Sequence, residues 1–375
     1  MKMLNDYLPQ KVNASRWLTW HTLYELREST RSQTIVLPIC SLGTPYPDIL
    51  SSCQEAGNFV LPPLFHEALG DQSFKAKIVA QIRKCFPHHE LSSQRQASDS
   101  PTLVVVELPV QDLVYDGPPV DVAAFSVDTA VEEHGPHLPL ATDTIQSYAV
   151  LNHLEAERPG FVAAPPVEYG HLTWGLPFGF SVDLTPQLLS QYVANFANAI
   201  NSWLSPRSIY VVDVHGSVVH RQAIVDGMQL SGIDRWAFRW LHEPLVEFAS
   251  ERADQHAGGV ETALVEKANP ALLDARWWPG KIDEIEAAEM TLEKAVELTP
   301  NLTDFFEHVD AHGSNGIVGF IRNYETLDAS LMFDRMLNIA RSDLAALESD
   351  ASGIHQAAGD SPWERDKIRD ASNDE

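Results

Sequence analysis

Short runs of consecutive apolar residues alternate with amphipathic stretches along the first quarter of the chain. Three of these runs, beginning at Thr34, Asn58 and Thr102, have the pattern of strands that are buried on both faces. Between them, apolar residues recur at helical spacing over residues 73–86, which predicts an amphipathic helix. The polar, serine-rich stretch 88–101 ends in proline and is predicted as a loop or linker. This part of the chain therefore has a self-contained α/β pattern.

The same alternation continues with longer elements in the middle of the chain. Strands are predicted at 120–127, 160–167 and 208–214, and helices at 142–157 and 185–204. Thr185 is the predicted N-cap of the second helix. Strands that alternate with helices favour a mostly parallel sheet covered by helices on both faces. The predicted fold class is α/β, a three-layer αβα sandwich with a mostly parallel central sheet, plus an N-terminal α/β extension.

These patterns divide the chain into three regions. Residues 1–112 form the N-terminal extension, residues 113–342 the main domain, and residues 343–375 a polar, charged tail that is expected to fray. The runs TIVLPICSLGTPYPDI and VLPPLFHEAL resemble VDVAAFSVDTAVEEHGPHLP and FVAAPPVEYGHL of the main domain. The extension is thus either a degenerate repeat of the first βαβ unit or a case of chance similarity between buried strands.

Composition and charge exclude several classes of partner. The 52 acidic and 26 basic residues give a net charge of −26, which repels nucleic acid and anionic lipid. No stretch approaches the roughly 20 apolar residues of a membrane span, and no apolar secretory signal is visible. Cys40, Cys53 and Cys85 lack CxxC spacing, so free, largely buried thiols are expected rather than a zinc knuckle or disulfides. A cytoplasmic protein with neither nucleic-acid nor membrane partners is predicted.

The densest cluster of reactive side chains is the segment EEHGPHLPLATD, which follows a predicted strand. It contains Glu132, Glu133, His134, His137 and Asp143 within twelve residues. Two prolines and a glycine favour a loop over a helix. Carboxylate and imidazole groups suit divalent zinc, manganese or iron, so the segment is a candidate metal site. A solvated acidic loop with incidental histidines is the alternative.

This segment resembles the signature of the creatininase (creatinine amidohydrolase) family. Further resemblances follow in the family's order, at APPVEYG (164–170), VVDVHGS (211–217), HAGGVETALVEKANPALLD (256–274) and NGIVGFIRNYETLDAS (315–330). The resemblance implies a creatininase-like α/β fold for the main domain. It also implies homo-oligomers, which the N-terminal extension would modify if it covered the interface.

The family's site has two divalent metal ions (zinc, manganese or iron), and the resemblance assigns ligands by position. Glu132 and His215 would bind the first ion, and His134 the second. Asp143 would bridge both ions. Creatininase carries another glutamate two residues after the histidine of VVDVHGS, where this chain has Ser217, so Glu261 is expected to replace it on the second ion.

The resemblance also implies a hydrolytic mechanism. A hydroxide held by two divalent ions would attack a carbonyl group that the same ions polarise. His256 is the expected proton donor to the leaving nitrogen and, with Glu261, one of two predicted catalytic residues. A buried structural histidine is the alternative for His256. Glu133 and His137 would lie behind the ligands or face the substrate, or would make structural hydrogen bonds.

Departures from the family pattern fall on the substrate pocket. Leu172 and Gly175 stand where the family commonly has serine and histidine, and Gln255 replaces an acidic residue. Creatinine is therefore not expected as the substrate. The candidate substrate-binding residues are His137, Tyr169, His171, Trp174, Ser217, Trp277 and Trp278. Simple packing is the alternative role for the tryptophans.

The predicted function is a metal-dependent hydrolase that cleaves a C–N bond (amide, lactam or formamide) of a small, cyclic metabolite. Two other functions stay open. One is a non-catalytic paralogue with an assembly or regulatory role. The other is a metal-dependent ring-opening enzyme or isomerase that acts on a non-amide substrate.

Overall fold

The computed structural model contains two parallel β-sheets with helices packed against them. It describes residues 18, 26, 33–53, 59–93, 101–172, 175–273 and 290–349. The strands are β1 (Ile35–Cys40), β2 (Phe59–Val60), β3 (Leu64–Phe65), β4 (Glu90–Ser92), β5 (Thr102–Glu107), β6 (Val122–Ser126), β7 (Phe161–Ala163), β8 (Ser208–Asp213) and β9 (Trp236–Trp240). The helices are α1 (Tyr46–Ser52), α2 (His66–Leu69), α3 (Gln72–Lys84), α4 (Thr142–Glu157), α5 (Pro186–Leu204), α6 (Val218–Ser231), α7 (Val246–Arg252), α8 (Gly259–Ala268), α9 (Leu292–Leu298), α10 (Leu302–His312) and α11 (Ala329–Glu348).

The main sheet has the strand order β7-β6-β8-β9, and every neighbouring pair is parallel. Successive side chains of a strand point to opposite faces. Ala123 and Phe125 of β6 therefore join a core with α5 and α6, whereas Val122 and Ala124 join a core with α4, α8 and α11. Helices cover both faces of the sheet, which confirms the predicted α/β sandwich.

The N-terminal region forms a second parallel sheet of order β2-β1-β5-β4, with β3 also paired to β1. Strand β4 lies inside the stretch 88–101, so the prediction of a loop there was wrong for Glu90–Ser92. None of these three residues is buried, and the strand exists through its pairing with β5. A strand made by pairing alone leaves no apolar pattern in the sequence.

Both sheets contain the same irregularity at a Pro-Pro pair. The paired residues are Val36 with Val60 and then Ile39 with Leu64 in the N-terminal sheet, and Ala124 with Ala163 and then Val127 with Val167 in the main sheet. In each case the register slips by one residue across the prolines, which cannot donate to a ladder. The two sheets thus share this local feature, and the degenerate repeat stays a prediction beside chance similarity.

Helix α5 joins the two sheets into one hydrophobic core. The ring of Phe196 lies 5.7 Å from that of Phe65 in the N-terminal sheet and 5.0 Å from that of Phe125 in the main sheet. The hydroxyl of Tyr192 accepts a hydrogen bond from the Phe65 amide at 3.2 Å. The N-terminal unit therefore packs directly on a helix that covers the main sheet.

The ends of the long helices show which boundaries local sequence determines. Helix α4 begins and ends at the predicted residues, and Thr185 caps α5 by accepting from the Leu188 amide at 3.4 Å. The proposed domain boundary at residue 342 falls inside α11, and beyond it Leu344 and Leu347 are buried in the core shared with α4 and α8. The end of α11 is thus part of the packed domain.

The three cysteines form no disulfide bond in the described part of the chain, and Cys40 and Cys53 are buried while Cys85 is half-buried. Burial raises the pKa of the Cys40 thiol to about 12, so it stays protonated and unreactive near neutral pH. Among the described residues, no helix combines the length and the apolar character that crossing a membrane requires.

His242, which follows β9, gives the protein a predicted acid sensitivity. Its Nε2 atom bonds to Gln146 of α4 at 2.9 Å, and burial lowers its pKa from 6.5 to about 4. Between these pH values the unfolded chain binds more protons than the folded one, so the free energy of unfolding falls as the pH drops. We expect His242→Gln to reduce this fall by on the order of 1–3 kcal/mol in urea titrations at pH 6.5 and pH 4.

The matched control for this prediction is His312→Gln, because His312 is an exposed histidine in the last turn of α10. This control should follow the wild type at both pH values. An equal loss of stability in wild type and His242→Gln would show that another group carries the acid sensitivity.

Candidate metal centre

The candidate ligands meet at the carboxyl ends of the central strands β6 and β8. Glu132 and His134 lie in the loop after β6, and Asp143 lies in the first turn of α4. His215 follows β8, and Glu261 lies in the first turn of α8. Parallel sheets bind ligands beyond these strand ends, and helix N-termini favour carboxylates there.

Glu132, Asp143 and His215 form one group that could hold an ion. Their ligand atoms lie within 4.8 Å of one another. The Nδ1 atom of His215 is 3.0 Å from Oε2 of Glu132 and 3.3 Å from Oδ2 of Asp143. The structure thus brings together the three residues that the family resemblance assigned to the first ion.

His134, His256 and Glu261 form a second group of the same kind. Nε2 of His134 is 3.3 Å from Oδ1 of Asp143, and the rings of His134 and His256 are 4.5 Å apart. Asp143 therefore directs one carboxylate oxygen to each group, which is the arrangement that a bridging ligand needs. His256, predicted as a proton donor, lies close enough to serve as a ligand as well.

Backbone carbonyls orient all three imidazoles. The second ring nitrogen of each donates to a carbonyl, in the pairs His134 Nδ1 with Glu132 O (3.1 Å), His215 Nε2 with His171 O (3.1 Å) and His256 Nε2 with Glu133 O (2.6 Å). Such a bond fixes both the tautomer and the ring direction of a metal ligand. The free nitrogen of each ring then faces the carboxylates.

The electrostatics of the centre show strong mutual stabilisation between histidines and carboxylates. Burial disfavours the charged form of His134, but the nearby Asp143 carboxylate outweighs it and raises the pKa of His134 to about 10. The Glu132 carboxylate likewise overcomes burial and raises the pKa of His215 well above its ordinary value. The carboxylates thus favour positive charge at both rings, and a metal ion that binds there competes with protons for the same ring nitrogens.

Two buried atoms indicate that a divalent ion fits. Nε2 of His134 and Oδ1 of Asp143 are buried and face each other at 3.3 Å as an ion pair, but neither atom forms a hydrogen bond with a described residue. A buried polar atom without a partner is costly unless something else compensates it. Nitrogen and carboxylate oxygen are ligands of zinc and manganese. The donor set and these two atoms therefore fit a divalent cation between the two groups.

Two buried aspartates that the sequence did not single out, Asp128 and Asp213, lie behind the ligands. Asp128 accepts from Ser147 Oγ at 2.9 Å and from the Val214 amide at 3.3 Å, and Asp213 accepts from the His215 amide at 2.8 Å. Burial raises the pKa of Asp213 to about 7. The sequence contains a signal for both aspartates, because Asp213 ends β8 and Asp128 closely follows β6. These strands are neighbours in the sheet, so residues at their carboxyl ends lie close together.

The predicted substrate-binding residues lie around the centre in different roles. His137 Nε2 contacts Thr262 Oγ1 at 2.9 Å, and Tyr169 donates to Pro62 O at 2.7 Å, toward the N-terminal unit. His171 Nδ1 lies 2.8 Å from Asp183, and Ser217 caps α6. The three tryptophans, Trp174, Trp277 and Trp278, lie outside the described residues. Substrate contact stays a prediction for all seven.

Gly175, which stands where the family commonly has histidine, leaves space for the side chain of the ligand Glu132. A Cβ atom built at Gly175 would lie 2.9 Å from Oε1 of Glu132 and 3.1 Å from Oγ of Ser181. A larger side chain could not enter this backbone position without moving the Glu132 carboxylate. Because residue 175 is glycine and not histidine, the Glu132 carboxylate packs directly against the backbone of this residue.

Comparisons with known proteins identify the family of this chain. The family model for creatininase, described as creatinine amidohydrolase, matches residues 128–338. A mycofactocin precursor peptide peptidase of Mycolicibacterium smegmatis is 26% identical over 234 residues, which are 60% of this chain and 85% of that protein. A protein of the same name from Mycobacterium ulcerans is 26% identical over 153 residues, 38% of this chain and 57% of that protein.

A solved structure of creatininase with Mn has 18% identity and a TM-score of 0.43, covering 61% of this chain and 91% of that one. The family model, by contrast, spans more than half of the chain and contains all six residues of the two ligand groups. The chain therefore belongs to the creatininase (creatinine amidohydrolase) family of hydrolases.

Proposed function

We propose that this protein is a metal-dependent amidohydrolase that uses two divalent ions to cleave a C–N bond. The observation that carries the proposal is the position of Asp143, whose two oxygens face separate ligand groups at 3.3 Å from His134 and 3.3 Å from His215. A carboxylate in this position can bridge two ions. Solved creatininases include Mn and Zn-Zn forms, which supports ions of this class.

Each ligand group would hold one ion. Glu132 and His215 would bind the first ion and His134 and Glu261 the second, with Asp143 shared. When bound, two divalent ions supply an activated water molecule and a Lewis acid that polarises a carbonyl. Glu132, His134 and Asp143 are each about 1% exposed, so bulk water is excluded from the ligand shell.

His256 would donate a proton to the leaving nitrogen. Its Nε2 atom is held on the Glu133 carbonyl at 2.6 Å, and its Nδ1 atom lies 3.9 Å from Oε1 of Glu132. Burial and the nearby His134 disfavour its charged form, yet the Glu133 and Glu132 carboxylates raise its pKa above the ordinary value. An imidazole that carries a proton near neutral pH can protonate a leaving nitrogen.

Two classes of amide are candidate substrates. A small cyclic amide agrees with the family's name, creatinine amidohydrolase. A peptide bond is the second candidate, because the two relatives of known name are called peptide peptidases. Both contain a C–N bond adjacent to a carbonyl, so the same centre would act on either.

Metal-depleted protein should be inactive on a panel of lactams, formamides and short peptides, and zinc or manganese should restore activity. Water labelled with ¹⁸O should deliver its oxygen to the acid product. Turnover without ¹⁸O incorporation would instead indicate an isomerase or lyase. A metal-replete protein that turns over no member of the panel would favour the non-catalytic paralogue.

A further inference from the structure

A threonine hydroxyl lies at the centre of the first ligand group. Oγ1 of Thr129 is 2.5 Å from Oδ2 of Asp143 and 3.2 Å from Nδ1 of His215. The same atom donates a short hydrogen bond to Oε2 of Glu132. Oε2 of Glu132, Oδ2 of Asp143 and Nδ1 of His215 are the atoms with which the first ligand group would bind an ion. Oγ1 of Thr129 lies among them and is a fourth possible donor atom.

Three separations among the four donor atoms match the spacing of ligands around one metal ion. Four ligands at about 2.0–2.1 Å from a zinc ion are separated from one another by about 3.3 Å. The measured separations are 3.0 Å for His215 to Glu132, 3.3 Å for His215 to Asp143 and 3.2 Å for His215 to Thr129. The contacts of Thr129 with the two carboxylates are shorter, as hydrogen bonds between oxygens are. To reach the spacing of ligands around an ion, the contact of Thr129 with Asp143 would have to lengthen from 2.5 Å to about 3.3 Å, and its contact with Glu132 by a similar amount.

The backbone holds Thr129 in this place. The amide of Asp128 donates to Val167 O at 3.0 Å and that of Ala130 to Glu168 O at 3.0 Å, so both neighbours of Thr129 are fixed to the strand end after β7. Its methyl group is confined by Gly170, where a Cβ atom would lie 2.5 Å from Thr129 Cγ2. The hydroxyl therefore has little freedom to turn away from the ligands.

We propose that the Thr129 hydroxyl is a fourth protein ligand of the first ion, together with Glu132, Asp143 and His215. A threonine hydroxyl has one proton and two lone pairs. It can direct a lone pair at the ion while its O–H group donates a hydrogen bond to a neighbouring carboxylate, so a neutral hydroxyl adds a ligand without adding charge. This inference rests on the proposed function, because it requires that the first group holds a metal.

The test compares Thr129→Val, which replaces the hydroxyl by a methyl group of similar size, with Thr129→Ser, which keeps the hydroxyl. Affinity for Zn²⁺ is measured by competition with a chromogenic chelator, and the site geometry by the visible d–d absorption of the Co²⁺-loaded protein. We expect Thr129→Val to weaken one of two bound ions by at least the roughly 10- to 100-fold that loss of a ligand-orienting group costs. Because the hydroxyl would be a direct ligand, the substitution should also change the Co²⁺ spectrum. Thr129→Ser should stay close to the wild type in both measurements.

Several outcomes would overturn the inference. Unchanged or tighter Zn²⁺ binding by Thr129→Val would mean that the hydroxyl only fills the gap between carboxylates in the metal-free protein. An unchanged Co²⁺ spectrum would lead to the same conclusion. If Thr129→Val does not fold, Thr129→Ala is measured against the same expectations. Failure of the wild type to bind Zn²⁺ would instead remove the proposed function, so the two failures are distinguishable.

Discussion

We expect Asp143→Asn to lose both metal ions and nearly all hydrolytic activity. The substitution keeps the shape of the side chain but removes the charge that faces His134 and His215, each at 3.3 Å. An amide also presents one nitrogen where a bridging carboxylate presents two oxygens. Two divalent ions contribute several kcal/mol to transition-state stabilisation, so activity should fall by roughly a thousandfold or more.

Metal content by mass spectrometry and hydrolysis rates at saturating metal check this expectation. The matched control is Asp226→Asn, because Asp226 is an exposed aspartate of α6 that bonds to Gln222 at 2.7 Å, away from the ligand groups. The control should retain wild-type metal content and rate. If Asp143→Asn still binds two ions per chain, Asp143 is not a bridging ligand, and the assignment of both groups fails.

The second large effect is expected on stability, at the end of α11. Asp343 is buried and binds Arg239 through two bonds, Nε to Oδ2 at 2.7 Å and a terminal nitrogen to Oδ1 at 2.6 Å. It also accepts from the Tyr210 hydroxyl at 3.0 Å. Removing one partner of a buried ion pair leaves the other charge uncompensated and typically costs about 3–5 kcal/mol. Arg239 keeps an ion pair with Glu243, so we expect Asp343→Ala to lower the free energy of unfolding by about 3 kcal/mol, the lower end of that range.

Urea denaturation measures this loss, and Asp334→Ala is the control because Asp334 is exposed on the same helix. The control should change the free energy of unfolding by less than about 0.5 kcal/mol. A negligible effect of Asp343→Ala would place this residue outside the packed domain. The tail proposed from the sequence would then begin at residue 343 after all.

Much of the fold follows from local pattern. Apolar runs and helical periodicity locate β1, β6 and β8 and the helices α4 and α5, because these elements bury continuous apolar surface and leave it visible in the chain. Strand β4 was missed since it is exposed and depends on pairing with β5, and the end of α11 was missed because its role lies in contacts with distant residues.

The sequence by itself determined which side chains could bind metal. Glu132, His134 and Asp143 come from one segment with a family signature, and His215 and Glu261 follow from motif order. Only the tertiary structure decided which oxygen of Asp143 faces which group, and only it placed His256 among possible ligands. These are matters of side-chain direction, which motif spacing does not encode.

Thr129 shows most clearly what the sequence alone does not determine. It is an ordinary strand-end threonine in the sequence, and its hydroxyl becomes significant only because His215, 86 residues away along the chain, comes within 3.2 Å of it. The parallel pairing of β6 with β8 produces that approach by bringing their carboxyl ends to one edge. Residue types and their order are local information, whereas the distance between two loops is set by the sheet that carries them.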